Sequence, residues 1–287
     1  MRPALIFSIL FLLFSSCSMN RFIVGQMTPV FKTSIDAFYE ETDLQIAEQA
    51  LASNLKLLEG LLKNDPENED LLLLLAQGYA GYALGFVEDE DPKRAKIFYQ
   101  RAFNFGQRAL FNPALYTWHW TEQSKKVFED KLKNLEGSEV PALFWTIFAM
   151  AGKINVSLDD PTALINISVL ENGIEKIKEM DPGFFYGSVF LLKGSIEGMK
   201  PPMLGGNPEA ARENFEKNLE ITKGQFLLTQ VYQAKFYAAK TLNEELFDQL
   251  IKEVEDFDIG TKPEIALFNQ IARKKAALLK TMRNELF

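Results

Sequence analysis

Leu71-Leu72-Leu73-Leu74-Leu75-Ala76-Gln77-Gly78-Tyr79-Ala80 is the stretch on which the fold turns. Five consecutive leucines can form a buried strand, because a strand covered on both faces is apolar throughout. Here the apolar character continues through Ala76, Tyr79, Ala80 and Ala83 at helical spacing, which is too long for an ordinary strand. The stretch reads as a buried helix. Before it, Asn64-Asp65-Pro66 closes an earlier helix in which Ala47, Leu51, Leu58, Leu61 and Leu62 recur at helical intervals. Thr42 and Gln45 have the spacing of a capping box that would open that helix.

The same punctuation returns along the chain. Asp91-Pro92, Asp160-Pro161 and Asn207-Pro208 each place a capping side chain before a proline, whose missing N–H costs nothing in a first helical turn. Thr241 and Glu244 repeat the capping-box spacing. These signals predict about eleven helices, near 44–64, 68–86, 92–111, 121–136, 141–155, 161–180, 184–199, 208–222, 226–240, 242–254 and 263–285. No Asn-Gly or Asp-Gly hairpin signal separates runs of alternating apolar and polar residues. The chain is expected to be all-α.

Sliding the sequence on itself by 116 residues exposes an internal duplication. Without gaps, Leu51 meets Ile167, Leu58 meets Ile174, Asp65-Pro66 meets Asp181-Pro182, and Gly78 meets Gly194. The register continues through Pro92 with Pro208, Ala95 with Ala211 and Tyr99 with Phe215. Within each copy the spacing resembles the tetratricopeptide repeat, in which small and aromatic residues let paired helices approach closely. Leu72, Leu75, Ala76 and Tyr79 fit its first helix, and Ala95, Tyr99 and Ala102 its second. Insertions at Val87 to Asp91 and around Pro201 to Asn207 depart from the repeat. Trp145, Phe148, Ala149 and Gly152 supply a further first helix, so at least three pairs are expected to stack into a curved α-solenoid.

The first residues read as a sorting signal. Arg2, an apolar run from Ala4 to Phe14, and Ser15-Ser16 before Cys17 form the pattern on which bacterial lipoprotein processing acts, although Phe14 replaces the usual Leu. The expectation is a signal peptide over 1–16, lipidation at Cys17, a tether or short first helix over 17–40, and a helical domain over 41–287. Ser18, which is not Asp, favours outer-membrane sorting and hence a lipid-anchored periplasmic location.

Composition excludes much chemistry. Cys17 is the only cysteine, so disulfides, thiolate metal sites and a free cysteine nucleophile are not expected. The one histidine, His119, lies between Trp118 and Trp120 and reads as packing rather than catalysis. A net charge of -8 argues against nucleic acid as a partner. No phosphate loop, dinucleotide fingerprint, nucleophile elbow or zinc-helix motif occurs, so neither enzyme activity nor a cofactor is expected. The acidic runs Glu67 to Asp70 and Glu88 to Asp91 read as capping and solvation; the second lacks the spaced ligands of a calcium loop. The loop Pro201-Pro202-Met203-Leu204-Gly205-Gly206-Asn207 is stiffened by prolines and exposes two apolar side chains.

The chain resembles the T-component (TatT) lipoproteins of tripartite ATP-independent periplasmic (TRAP) transporters. The resemblance runs through Leu57-Leu58-Glu59-Gly60-Leu61-Leu62 to Asn64-Asp65-Pro66, and through Ala76-Gln77-Gly78-Tyr79-Ala80 to Phe86. It continues in Phe105-Gly106-Gln107-Arg108-Ala109-Leu110, from Phe144-Trp145 to Gly152-Lys153-Ile154-Asn155, and in Leu204-Gly205-Gly206-Asn207-Pro208. It implies a periplasmic, homo-oligomeric, tetratricopeptide-like protein with a cavity or pore in each protomer. Such a protein binds the transporter's substrate-binding protein and handles a small apolar or organic-acid ligand. Trp145, Lys153, Asn155, Met203 and Leu204, taken from the matched segments, are the candidate ligand or partner contacts. The competing expectation is a helix-repeat scaffold for outer-membrane or envelope assembly, with no small ligand.

Overall fold

The computed structural model describes residues 21, 23–111, 120–158, 167–200, 203 and 205–287. Cys17, the signal segment, Trp118, His119, Leu204 and the Asp160-Pro161 helix start lie outside them. Among the described residues there is no strand. Helix α1 covers residues 23–39. It is followed by α2 (Leu44–Leu62), α3 (Glu69–Tyr82), α4 (Pro92–Leu110), α5 (Glu122–Lys133), α6 (Val140–Asn155) and α7 (Ile167–Met180). Then come α8 (Phe184–Met199), α9 (Pro208–Thr222), α10 (Leu228–Gln233), α11 (Glu244–Asp256), α12 (Ala266–Thr281) and the short α13 (Arg283–Leu286).

The prolines and their caps act as expected. Asp91 and Asn207 accept backbone N–H groups at the starts of α4 and α9, with Pro92 and Pro208 in the first turn. Two predicted caps move by a residue or two. Asp43, not Thr42, opens α2 by accepting from the N–H groups of Gln45 and Ile46, because its carboxylate reaches both. Asn243, not Thr241, opens α11 through the N–H of Leu246, while Thr241 bonds back to the carbonyl of Tyr237. The insertion expected from Val87 is also shorter. Residues Ala83–Val87 prolong α3 as a π-helical turn, because Leu84, Phe86 and Val87 are all buried and keep the chain in the array.

Helices neighbouring in sequence pack on one another from α2 to α4, then α4 on α6, and onward from α6 to α12. Helix α12 returns to touch α2, so the curved array closes on itself. The duplicated register is visible in burial. Ala95 and Ala211, and Tyr99 and Phe215, are all fully buried where α4 meets α3 and α9 meets α8. The aligned glycines diverge, however: a side chain at Gly78 would strike Leu55 on α2, whereas one at Gly194 would meet Phe215 and Ala211 on α9. The segment Glu69–Val87 is long and apolar enough to cross a membrane, but most of it is buried against α2, α4 and α6. The tightest approach is at Gly198, where a Cβ would lie 2.1 Å from the carbonyl oxygen of Phe236, so α8 meets the π-helical turn Ala234–Ala238 that continues α10 backbone to backbone.

Candidate functional site

Closure of the array leaves an apolar interior with two chambers. The first lies between α1, α2, α3 and α12 and is lined by residues such as Phe31, Phe38, Tyr39, Leu55 and Ile271. The second lies between α3, α4, α6, α8 and α10, with Phe148, Leu192, Met199 and Phe236 in its wall. Gly81, Leu84, Trp145 and Phe268 line both chambers and form the partition. A third, more open space forms a vestibule lined by Ile35, Tyr39, Gln77, Gly183, Phe185, Tyr186, Ile221 and Thr222. Tyr39 and Gln77 also line the first chamber, and Phe185 the second.

The three spaces meet at an aromatic cluster. The Phe185 ring lies 4.8 Å from Trp145, 5.3 Å from Phe268 and 5.7 Å from Phe144, centre to centre. Most of these pairs are edge-on or tilted, the arrangement that ring quadrupoles favour. Tyr39 is fixed by a tilted contact 4.6 Å from Phe268 and accepts a hydrogen bond from Gln77. Residues 23–39, expected as a tether or short helix, therefore fold onto the body and complete a chamber wall.

Backbone strain marks the same place. Phe185, Tyr186 and Gly187 have φ of 44°, 61° and 64°, three left-handed residues in succession, of which only the glycine adopts that conformation freely. Each non-glycine residue held there costs of order 1–3 kcal/mol. Fully buried Asn218 donates to the carbonyls of Tyr186 and Gly187 at 2.8 and 2.7 Å, and accepts from the hydroxyl of Thr229.

One edge of the second chamber is ionic. Glu88, expected as a solvated acid, is buried, with Lys275 Nζ 2.7 Å from it and 2.7 Å from Asp89. Its other oxygen accepts from the Tyr99 hydroxyl. The tertiary return of α12 overrides the local pattern, since Lys275 lies 187 residues away and its own burial requires a counter-charge. Burial would pull Lys275 down, but Glu88 and Asp89 hold it above the ordinary lysine range. Burial, and next the Glu88 carboxylate, push the Tyr99 hydroxyl well above the ordinary tyrosine range. Tyr99 thus keeps its proton when folded at a pH where the unfolded chain loses it. Its contribution to stability is intact below about pH 10 and is lost as pH rises from there toward the raised folded value. Urea denaturation repeated between about pH 8 and 11 should show that fall, with the decline beginning near pH 10; a flat series would contradict it.

The sequence candidates separate in space. Trp145 lines both chambers and Asn155 lines the second. Lys153 is buried and donates to Gln100 on α4. Met203 is 89% exposed and lines none of the three spaces, and Leu204 falls outside the described residues. Phe185, Phe268, Tyr39 and the Glu88–Lys275 pair were not singled out from sequence. Only Phe184-Phe185-Tyr186 before Gly187 carried a signal, as an aromatic run beside a residue suited to left-handed backbone.

Fold and interior together define a closed all-helical array built around paired apolar chambers. Over residues 40–287 the chain matches the family model of the TRAP transporter T-component, and it belongs to that family. No curated protein matches it.

Proposed function

We propose that this TRAP transporter component is a lipoprotein, anchored through Cys17 at the periplasmic face of the outer membrane, that holds a small apolar or organic-acid ligand. It passes that ligand to or from the transporter's substrate-binding protein. The observation that carries this reading is the pair of chambers divided by Trp145 and Phe268, with walls that are overwhelmingly apolar and few convergent polar groups. Such walls suit an alkyl or aromatic body. Polar contacts from Gln77, Asn155 or Tyr232 suffice for one polar end. The paired, duplicated helices are consistent with a tetratricopeptide-like ancestry, and self-association would place several such interiors side by side.

Purification of the tagged, membrane-anchored protein from envelope extract tests the reading. The expected result is co-purification of a TRAP substrate-binding protein, together with an apolar small molecule released on denaturation. Recovery of outer-membrane assembly machinery without either would overturn it.

A further inference from the structure

A single side chain, Phe185, faces both the open vestibule and the second chamber, and it stands on left-handed backbone. In the first copy of the duplication the equivalent position is Glu69, at the ordinary start of α3, where Asn68 caps the helix through the N–H of Leu71. The position equivalent to Asn218 is Ala102, which has no polar side chain. The second copy has therefore acquired both the strained turn and the asparagine that holds it, at the residue where the vestibule and the second chamber adjoin. Helix starting does not require such a turn. All the hydrogen bonds of the Asn218 side chain go to Tyr186, Gly187 and Thr229, so it is dedicated to the turn and its support.

We infer that Phe185 is the gate through which an apolar ligand passes between the vestibule and the inner chambers, with Phe185-Tyr186-Gly187 as its hinge and Asn218 as its latch. The inference rests on the chambers being the ligand site. Swinging the Phe185 ring out of its contacts with Trp145 and Phe268 joins the vestibule to the second chamber. Relaxation of Phe185 and Tyr186 from left-handed angles favours that movement, and the latch opposes it, which is the balance a bistable element needs. The ligand that fits the path has an apolar body narrow enough to pass the ring and at most one polar end, which Gln77 or Thr222 meets in the vestibule.

Stopped-flow binding of cis-parinaric acid, a fluorescent fatty acid, to the full chain tests the gate. Phe185→Ala and Asn218→Ala are each expected to raise both association and release rates by about tenfold, as removal of a conformational barrier does. For Asn218→Ala, which leaves the chamber lining intact, the dissociation constant should move by less than about threefold, because both rates share the barrier. Phe185→Trp should slow both. Thermal melts establish that each variant is folded, and if Phe185→Ala is not, Asn218→Ala decides the matter with the chamber lining intact. Unchanged rates in folded Asn218→Ala overturn the gate while leaving the chambers as the ligand site. A wild-type protein with no saturable uptake overturns the ligand-site reading and the gate with it.

Discussion

Glu88→Ala is expected to cost about 3–5 kcal/mol of folding stability, the range found when one partner of a buried ion pair is removed. Lys275 would remain buried with only the partly exposed Asp89 as counter-charge, and the Tyr99 hydroxyl would lose its acceptor. Lys275→Met should cost a similar amount, because it strands the Glu88 carboxylate. The double variant Glu88→Gln with Lys275→Met should recover most of the loss, since the amide still accepts from Tyr99 and no unpaired buried charge remains. Urea denaturation of wild type, Glu88→Gln, Lys275→Met and the double variant measures the coupling. Single variants that each lose less than about 1 kcal/mol would place the pair among surface bridges of little weight. The pair also bears on function: it ties α12, which carries Phe268, to the end of α3 and so maintains the closure around both chambers.

Trp145→Ala carries the second large effect. The side chain is 4% exposed and packs edge-on against Phe144, Phe148 and Phe185. Removing such a ring costs about 3–5 kcal/mol, transfer and cavity terms together. It also removes part of the wall between the chambers. The destabilised variant should therefore regain stability when oleic acid is added, by more than wild type does, because the joined space accommodates a longer chain. Thermal melts with and without oleic acid provide the measurement. Equal shifts in the two proteins would show that Trp145 does not divide the ligand space.

Much of the fold was readable residue by residue. Asp91-Pro92 and Asn207-Pro208 start helices because a carboxylate or amide oxygen and a proline act within one turn, and no distant contact is required. The leucine run at 71–75 is a helix because its continuation keeps helical period. The small misses are local as well. At α2 and α11 a better acceptor one or two residues along displaced the predicted cap, and the helix expected to end near residue 86 closes in a buried π-helical turn that reaches Val87.

The site was less readable. Trp145 and Asn155 were reached through segments that resemble the family, and the structure places them in chamber walls. Met203 looked notable because an apolar residue stood in a rigid loop, a property that does not reveal whether the side chain faces inward. Nothing near Glu88 distinguishes it from Glu90, yet Glu88 is buried against Lys275 and Glu90 forms a surface pair with Lys274.

The sequence by itself determined the helical class, the punctuation of most helices, the duplicated register and the family, because each depends on periodicity, short-range hydrogen bonding or the order of motifs. Tertiary structure alone decided that the array closes, that α12 returns to α2 and buries Lys275 against Glu88, and that α1 completes a chamber. It also decided that Phe185 stands between the second chamber and the vestibule. Curvature summed over many helix crossings sets which distant faces meet, and no local rule of spacing encodes that sum.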